Sequence, residues 1–85
     1  MPTVKRFNRC RIEMYFDDHP PPHFHVITGK DERISVVIET LIIQAGEADS
    51  RDTVEAFEWA RKHRAVLRGH WMEYSEEEKP KVKKP

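Results

Sequence analysis

The sequence predicts an α+β fold: an antiparallel sheet of four to five strands, followed by one bent helix or two consecutive helices packed on one face. Three observations predict it. The first half alternates apolar and polar residues with a period of two, most clearly over Cys10–Phe16. The second half, from Arg51 to about Glu77, has no proline and spaces its apolar residues at helical intervals. All strand-type segments precede the helical one, and without βαβ alternation the sheet should be antiparallel.

The elements follow in order. Thr3–Phe7 is a short strand with Val4 and Phe7 as its apolar residues, and Asn8-Arg9 can form a tight turn because Asn tolerates left-handed backbone angles. Cys10–Phe16 places Cys10, Ile12, Met14 and Phe16 on one face and Arg11, Glu13 and Tyr15 on the other, the pattern of a half-buried strand. Two strands so close in sequence make a hairpin. The prolines at 20, 21 and 22 then fix three φ angles and remove three donors, giving a stiff, polyproline-like arm.

Strand character resumes over His23–Thr28. Gly29-Lys30-Asp31-Glu32 reads as a hairpin turn, and the β-branched run Arg33–Glu39 as the next strand. Thr40–Gln44 is either a fifth short strand or the continuation of the fourth after a bend. Gly46–Ser50 is a polar link in which Asp49 or Ser50 caps a helix, with Asp52 placing negative charge in the first turn. Within the helical segment Val54, Phe57 and Ala65 share one face, while Trp59, Val66, Leu67, Trp71 and Tyr74 centre on another. A straight helix would not bury both sets equally, so a break or bend is expected near Lys62–Ala65.

Bulk properties bound the function. The 85 residues suit one domain, expected over 1–78, with a flexible charged tail at 79–85 bracketed by Pro80 and Pro85. Fifteen basic and fifteen acidic residues cancel, which disfavours a general nucleic-acid or membrane-surface binder. The charges are unevenly placed: Lys5, Arg6, Arg9 and Arg11 open the chain, Arg61, Lys62, Arg64 and Arg68 form a second basic group, and Glu73, Glu76, Glu77 and Glu78 follow. No apolar run reaches the ~20 residues that span a bilayer. A lone cysteine, Cys10, fits a reducing compartment, so a cytoplasmic protein is expected.

The most site-like stretch is DDHPPPHFHV, residues 17–26, which holds three of the five histidines. His23 and His25 are two apart and so project from the same strand face, leaving Phe24 and Val26 for the core. With His19, Asp17 and Asp18 beside the arm, three imidazoles, or two and a carboxylate, could form a zinc-type shell. No other cofactor is implied. The same groups suit acid–base catalysis, with His19, His23, His25 and Asp18 as candidates. Histidine titrates near neutral pH, and Arg9, Arg11, Arg61 and Arg64 could hold a phosphate, which would be ribonuclease-type chemistry. The structural alternative is that Asp18, His19 and His23 satisfy the loop backbone. Arg61, Arg64, Arg68 and Trp71 are the candidate partner-binding residues, Trp71 because Trp is enriched at interaction hot spots. Otherwise Trp59 and Trp71 are core anchors between helix and sheet.

MPTV at the start, IEMYFDDHPPPHFHV over Ile12–Val26, IETL over Ile38–Leu41 and EWARKHRAVLRGHW over Glu58–Trp71 resemble the bacterial family called domain of unknown function 4160. The likeness covers nearly the whole chain, and its MYF-D-DH-PPHFH core is the specific part. The family pattern usually has Leu-Pro before the helix, where this chain has Glu47-Ala48-Asp49-Ser50. The resemblance implies a short cytoplasmic protein, often encoded beside another small protein, the two proposed as a toxin–antitoxin-like module. Its partner would then be the product of the adjacent gene. No catalytic residue carries over from it.

Overall fold

A computed structural model describes residues 3–15 and 19–78, with side chains described through residue 74. Phe16, Asp17, Asp18 and the expected tail at 79–85 lie outside the described residues. The elements are β1 (Thr3–Arg6), β2 (Cys10–Glu13), β3 (His23–Thr28), β4 (Arg33–Val37), β5 (Ile43–Glu47), α1 (Ser50–Lys62) and α2 (Arg64–Glu78). The five strands form one antiparallel sheet in sequential order, followed by two helices, so the α+β expectation holds.

Alternation divides the sheet. Cys10, Ile12 and Met14 from β2 and its extension, Phe24 and Val26 from β3, and Ile34, Val36 and Ile38 from β4 and its extension are buried together. Ala56 and Ala60 of α1 and Leu67 of α2 complete that core. Each fully buried Ile, Leu, Val, Met or Phe contributes about 1.5–3 kcal/mol, so this one face carries most of the hydrophobic stabilisation. The inner face of α1 is made of small residues. Thr53, Ala56 and Ala60 are buried and let the helix lie close on β2 and β3, while Val54 is exposed. Burial pushes the Cys10 thiol above its ordinary value, so it packs as a small protonated apolar group under Ala56.

Polar clamps orient α1. Asp49 is its N-cap, accepting from the backbone N–H of Arg51 at 2.9 Å and from the Arg51 guanidinium at 2.8 Å. Buried Asp52 receives Arg9 of the β1–β2 turn and Lys30 of the β3–β4 turn, both at 3.1 Å. Glu55 accepts from the backbone N–H and the side chain of Asn8.

Two boundaries differ in detail from the sequence reading. The fifth strand is not Thr40–Gln44 but Ile43–Glu47, so Gly46 and Glu47 of the expected polar link are strand. The hairpin before it turns at Leu41, whose φ of 60° is left-handed, and the Val37 N–H donates to the Ile42 carbonyl at 3.0 Å. Gly46 sits in the strand at φ +88°, where an added Cβ would come within 2.2 Å of the Arg33 carbonyl oxygen. Glycine here permits strand pairing where the sequence suggested a loop.

The helical break falls at His63, inside the expected interval. Its ring Nδ1 donates to the Trp59 carbonyl at 2.8 Å, taking the acceptor that the His63 backbone N–H would use in a continuous helix. That N–H bonds the Ala60 carbonyl instead, at 3.1 Å. The Arg64 guanidinium then ties the start of α2 to the Ile38 carbonyl at 3.1 Å.

Gly46→Ala is expected to destabilise the chain by at least about 1–2 kcal/mol, since both its backbone angle and its neighbour oppose a Cβ. Gly29→Ala, which meets nothing nearer than 4.0 Å, stays within about 1 kcal/mol. Urea midpoints of the two variants measure the difference.

Candidate functional site: a polar network across the outer sheet face

The residues excluded from the core by alternation line up in rows on the other face. Backbone pairing puts Glu13, His25, Ser35 and Ala45 side by side across β2 to β5. One row away lie Arg11, Ile27, Arg33 and Glu47, and beyond His25 on the other side lies His23, paired with Val37. The core face and this row pattern are two consequences of one register.

Glu13 is the centre. It is only 3% exposed. It accepts from the Arg11 guanidinium at 2.6 Å and from the Tyr15 hydroxyl at 2.6 Å. Tyr15 in turn accepts from the Arg33 guanidinium at 2.6 Å, and that guanidinium carbon lies 6.0 Å from the Tyr15 ring centroid. The result is a continuous chain, Arg33 to Tyr15 to Glu13 to Arg11, that links β4 to β2 and its extension. Burial pushes the Glu13 carboxyl up, but the hydrogen bonds from Arg11 and Tyr15 outweigh it and hold the carboxyl below its usual range. Burial and the bond to Glu13 push the Tyr15 hydroxyl up, against the pull of Arg33, so it remains a neutral donor.

The histidine pair joins this network. The His25 ring lies 4.5 Å from the Tyr15 ring, its Nδ1 shares a 3.3 Å hydrogen bond with the Ser35 hydroxyl, and its centroid is 5.1 Å from that of His23. His23 is buried. Its Nδ1 donates to the Pro21 carbonyl at 2.8 Å, which fixes the proton on that nitrogen. Trp71 of α2 packs on the His23 ring at 5.2 Å.

The candidates read from sequence therefore separate. His23 and His25 converge as strand alternation requires, and His23 also pins the proline arm. His19 is exposed, next to an arm whose Pro20–Pro21 bond is cis, and Asp17 and Asp18 lie outside the described residues. Among the described residues no group of three or more His, Cys, Asp or Glu side chains is placed to hold a metal ion. Of the four arginines considered for phosphate, Arg11 enters the network. Arg9 is held by Asp52, Arg64 by the Ile38 carbonyl, and Arg61 is exposed on α1. Arg68 pairs with Glu39 at 2.9 Å, and Trp71 both touches His23 and packs against the core.

Sequence reasoning missed Glu13, Tyr15, Arg33 and Ser35. The signal lay in the alternation of Cys10–Phe16, which already put Arg11, Glu13 and Tyr15 opposite the core. Only the register, Glu13 against His25 against Ser35, joins that face to the histidines.

A family model described as Domain of unknown function (DUF4160) matches residues 10–72, a span that contains every member of the network from Arg11 to Trp71. No curated protein and no solved structure matches the chain. No described helix is long and apolar enough to cross a membrane.

Glu13→Gln is expected to cost about 1–3 kcal/mol, since a charged acceptor of two short hydrogen bonds becomes a neutral one. The pH dependence has a definite sign. A carboxyl depressed by folding stabilises the native state above its ordinary value of 4.5 and loses that contribution as pH falls through the folded-state value. The native protein should therefore lose stability more steeply than Glu13→Gln between about pH 5 and about pH 3 in urea titrations. Parallel slopes would show that Glu13 is not held ionised by its neighbours.

Proposed function

The chain belongs to the family Domain of unknown function (DUF4160), and from that premise we propose that it is the interaction module of a two-gene, toxin–antitoxin-like system, meeting its partner protein through the outer face of the sheet. One observation carries this reading: the Arg33–Tyr15–Glu13–Arg11 chain fixes charged and aromatic groups across a sheet face that α2 reaches at its His23 edge, through Trp71. Structural needs would be met by apolar or loosely solvated residues there. A pre-ordered row of Arg and Tyr has lost its side-chain entropy before contact, and these residue types dominate interface energetics.

Co-expression with the product of the adjacent gene, followed by capture of the tagged chain, should recover a stoichiometric complex. Arg33→Gln, at the exposed end of the network, should weaken that complex by about tenfold or more and by more than the small loss in melting temperature of the isolated chain accounts for. Failure of the two proteins to co-purify would remove this function.

A second reading rests on the histidine pair. His25, held between Tyr15 and Ser35 and beside His23, places two imidazoles within one small area near Arg11 and Arg33. Such a pair can divide the roles of general acid and general base on a phosphodiester, a ribonuclease-type activity. Here expression should arrest growth, and His25→Ala should relieve the arrest while the chain stays folded by circular dichroism. Undiminished toxicity in a folded His25→Ala protein excludes this chemistry.

A further inference from the structure

Helix α2 has two unlike faces. Leu67, Trp71 and Tyr74 point to the body of the protein, where Leu67 is buried and the two aromatics pack against the core. At ~100° per residue the opposite face is centred on Gly69, with Ala65, Val66, Met72 and Glu73 within about 60° of it. All five residues are exposed, Val66 at 43% and Met72 at 60%, and they line a shallow groove of about 530 Å³ together with His70.

Gly69 is the informative residue. A glycine inside a helix costs about 1 kcal/mol relative to alanine. Its φ is not left-handed, and nothing lies within 4 Å of the place its Cβ would occupy. The chain's own packing therefore does not need glycine here; a backbone approaching from outside would. The charges indicate which one. Arg61 and Lys62, both exposed, end α1 just before α2, while Arg64 and Arg68 are taken up by Ile38 and Glu39; Glu73, Glu76, Glu77 and Glu78 follow toward the end of α2. The helix is thus complementary to itself when reversed. In an antiparallel pair crossing at Gly69, residues equally far before and after it come together. Val66 then meets Met72 of a second copy, and the basic residues just before each helix lie beside the acidic end of the other.

We propose that this face of α2 binds a second copy of the chain, forming a two-fold symmetric dimer through antiparallel α2 helices that cross at Gly69. The contact is separate from the outer sheet face, which stays available in both copies. A single helix pair is small beside a standard interface, so the dimer should be weak and concentration-dependent.

Sedimentation equilibrium on the full chain tests it over about 10–500 µM, a range suited to micromolar association. The mass should rise from 10.1 kDa toward twice that value, and Met72→Asp should weaken association by about tenfold or more. Gly69→Ala should raise the melting temperature of dilute protein, where the helix gains, and weaken the dimer, where the crossing point is filled. Under oxidation Gly69→Cys should cross-link to a dimer, while Glu58→Cys, exposed on α1, should not. A chain that stays monomeric throughout, or a dimer indifferent to Met72→Asp and Gly69→Ala, overturns the proposal. The outcome does not depend on the neighbouring gene product, so it fails or stands apart from the proposed function.

Discussion

The register of β2, β3 and β4 is the constraint on which the rest of the structure depends. In a strand successive side chains must point to opposite faces, so fixing Ile12, Val26 and Ile34 in the core at the same stroke fixes Arg11, Glu13, His25 and Ser35 outside it. A slip by one residue would bury two arginines and a glutamate and expose the whole apolar set. The hydrophobic energy of the inner face therefore holds the polar geometry of the outer face, and the network there does not have to stabilise itself.

That division explains how so small a chain keeps a buried carboxylate. Glu13 would be costly to desolvate on its own. The register brings Arg11 and Tyr15 to it, and Arg33 in turn neutralises the surroundings of Tyr15. Four side chains thus become one rigid unit. His25 leans on that unit through the Tyr15 ring, and His23 is held from the other side by Trp71 and by the Pro21 carbonyl. The proline arm, the middle of α2 and the sheet all meet at the histidine pair, which makes it sensitive to whatever moves any of the three.

The helices answer to different forces. α1 is set by small buried residues and by ionic clamps to two sheet turns, so its position follows from the strands. α2 is redirected by the His63 ring and fastened by Arg64 to the end of β4 and by the Arg68–Glu39 pair. These ties bring Trp71 to His23 and leave Gly69 and its neighbours facing away from the protein.

Much of this was legible in the sequence. Periodicity alone determined the four strand positions through Val37, the core residues on them, the shared face of His23 and His25, and a break or bend within Lys62–Ala65, because each depends on the local spacing of a few side chains; that it is a break between two helices was left to the structure. Three things were decided only by tertiary structure. The fifth strand is offset because Leu41 and Gly46 adopt left-handed angles that pairing with β4 imposes. Arg9, Arg11 and Arg64 have unrelated roles because their partners lie 43, 2 and 26 residues away. The Glu13–Tyr15–His25–Ser35 cluster exists because three strands align in one register. Local patterns fix which way a residue points, and long-range pairing fixes what it meets there.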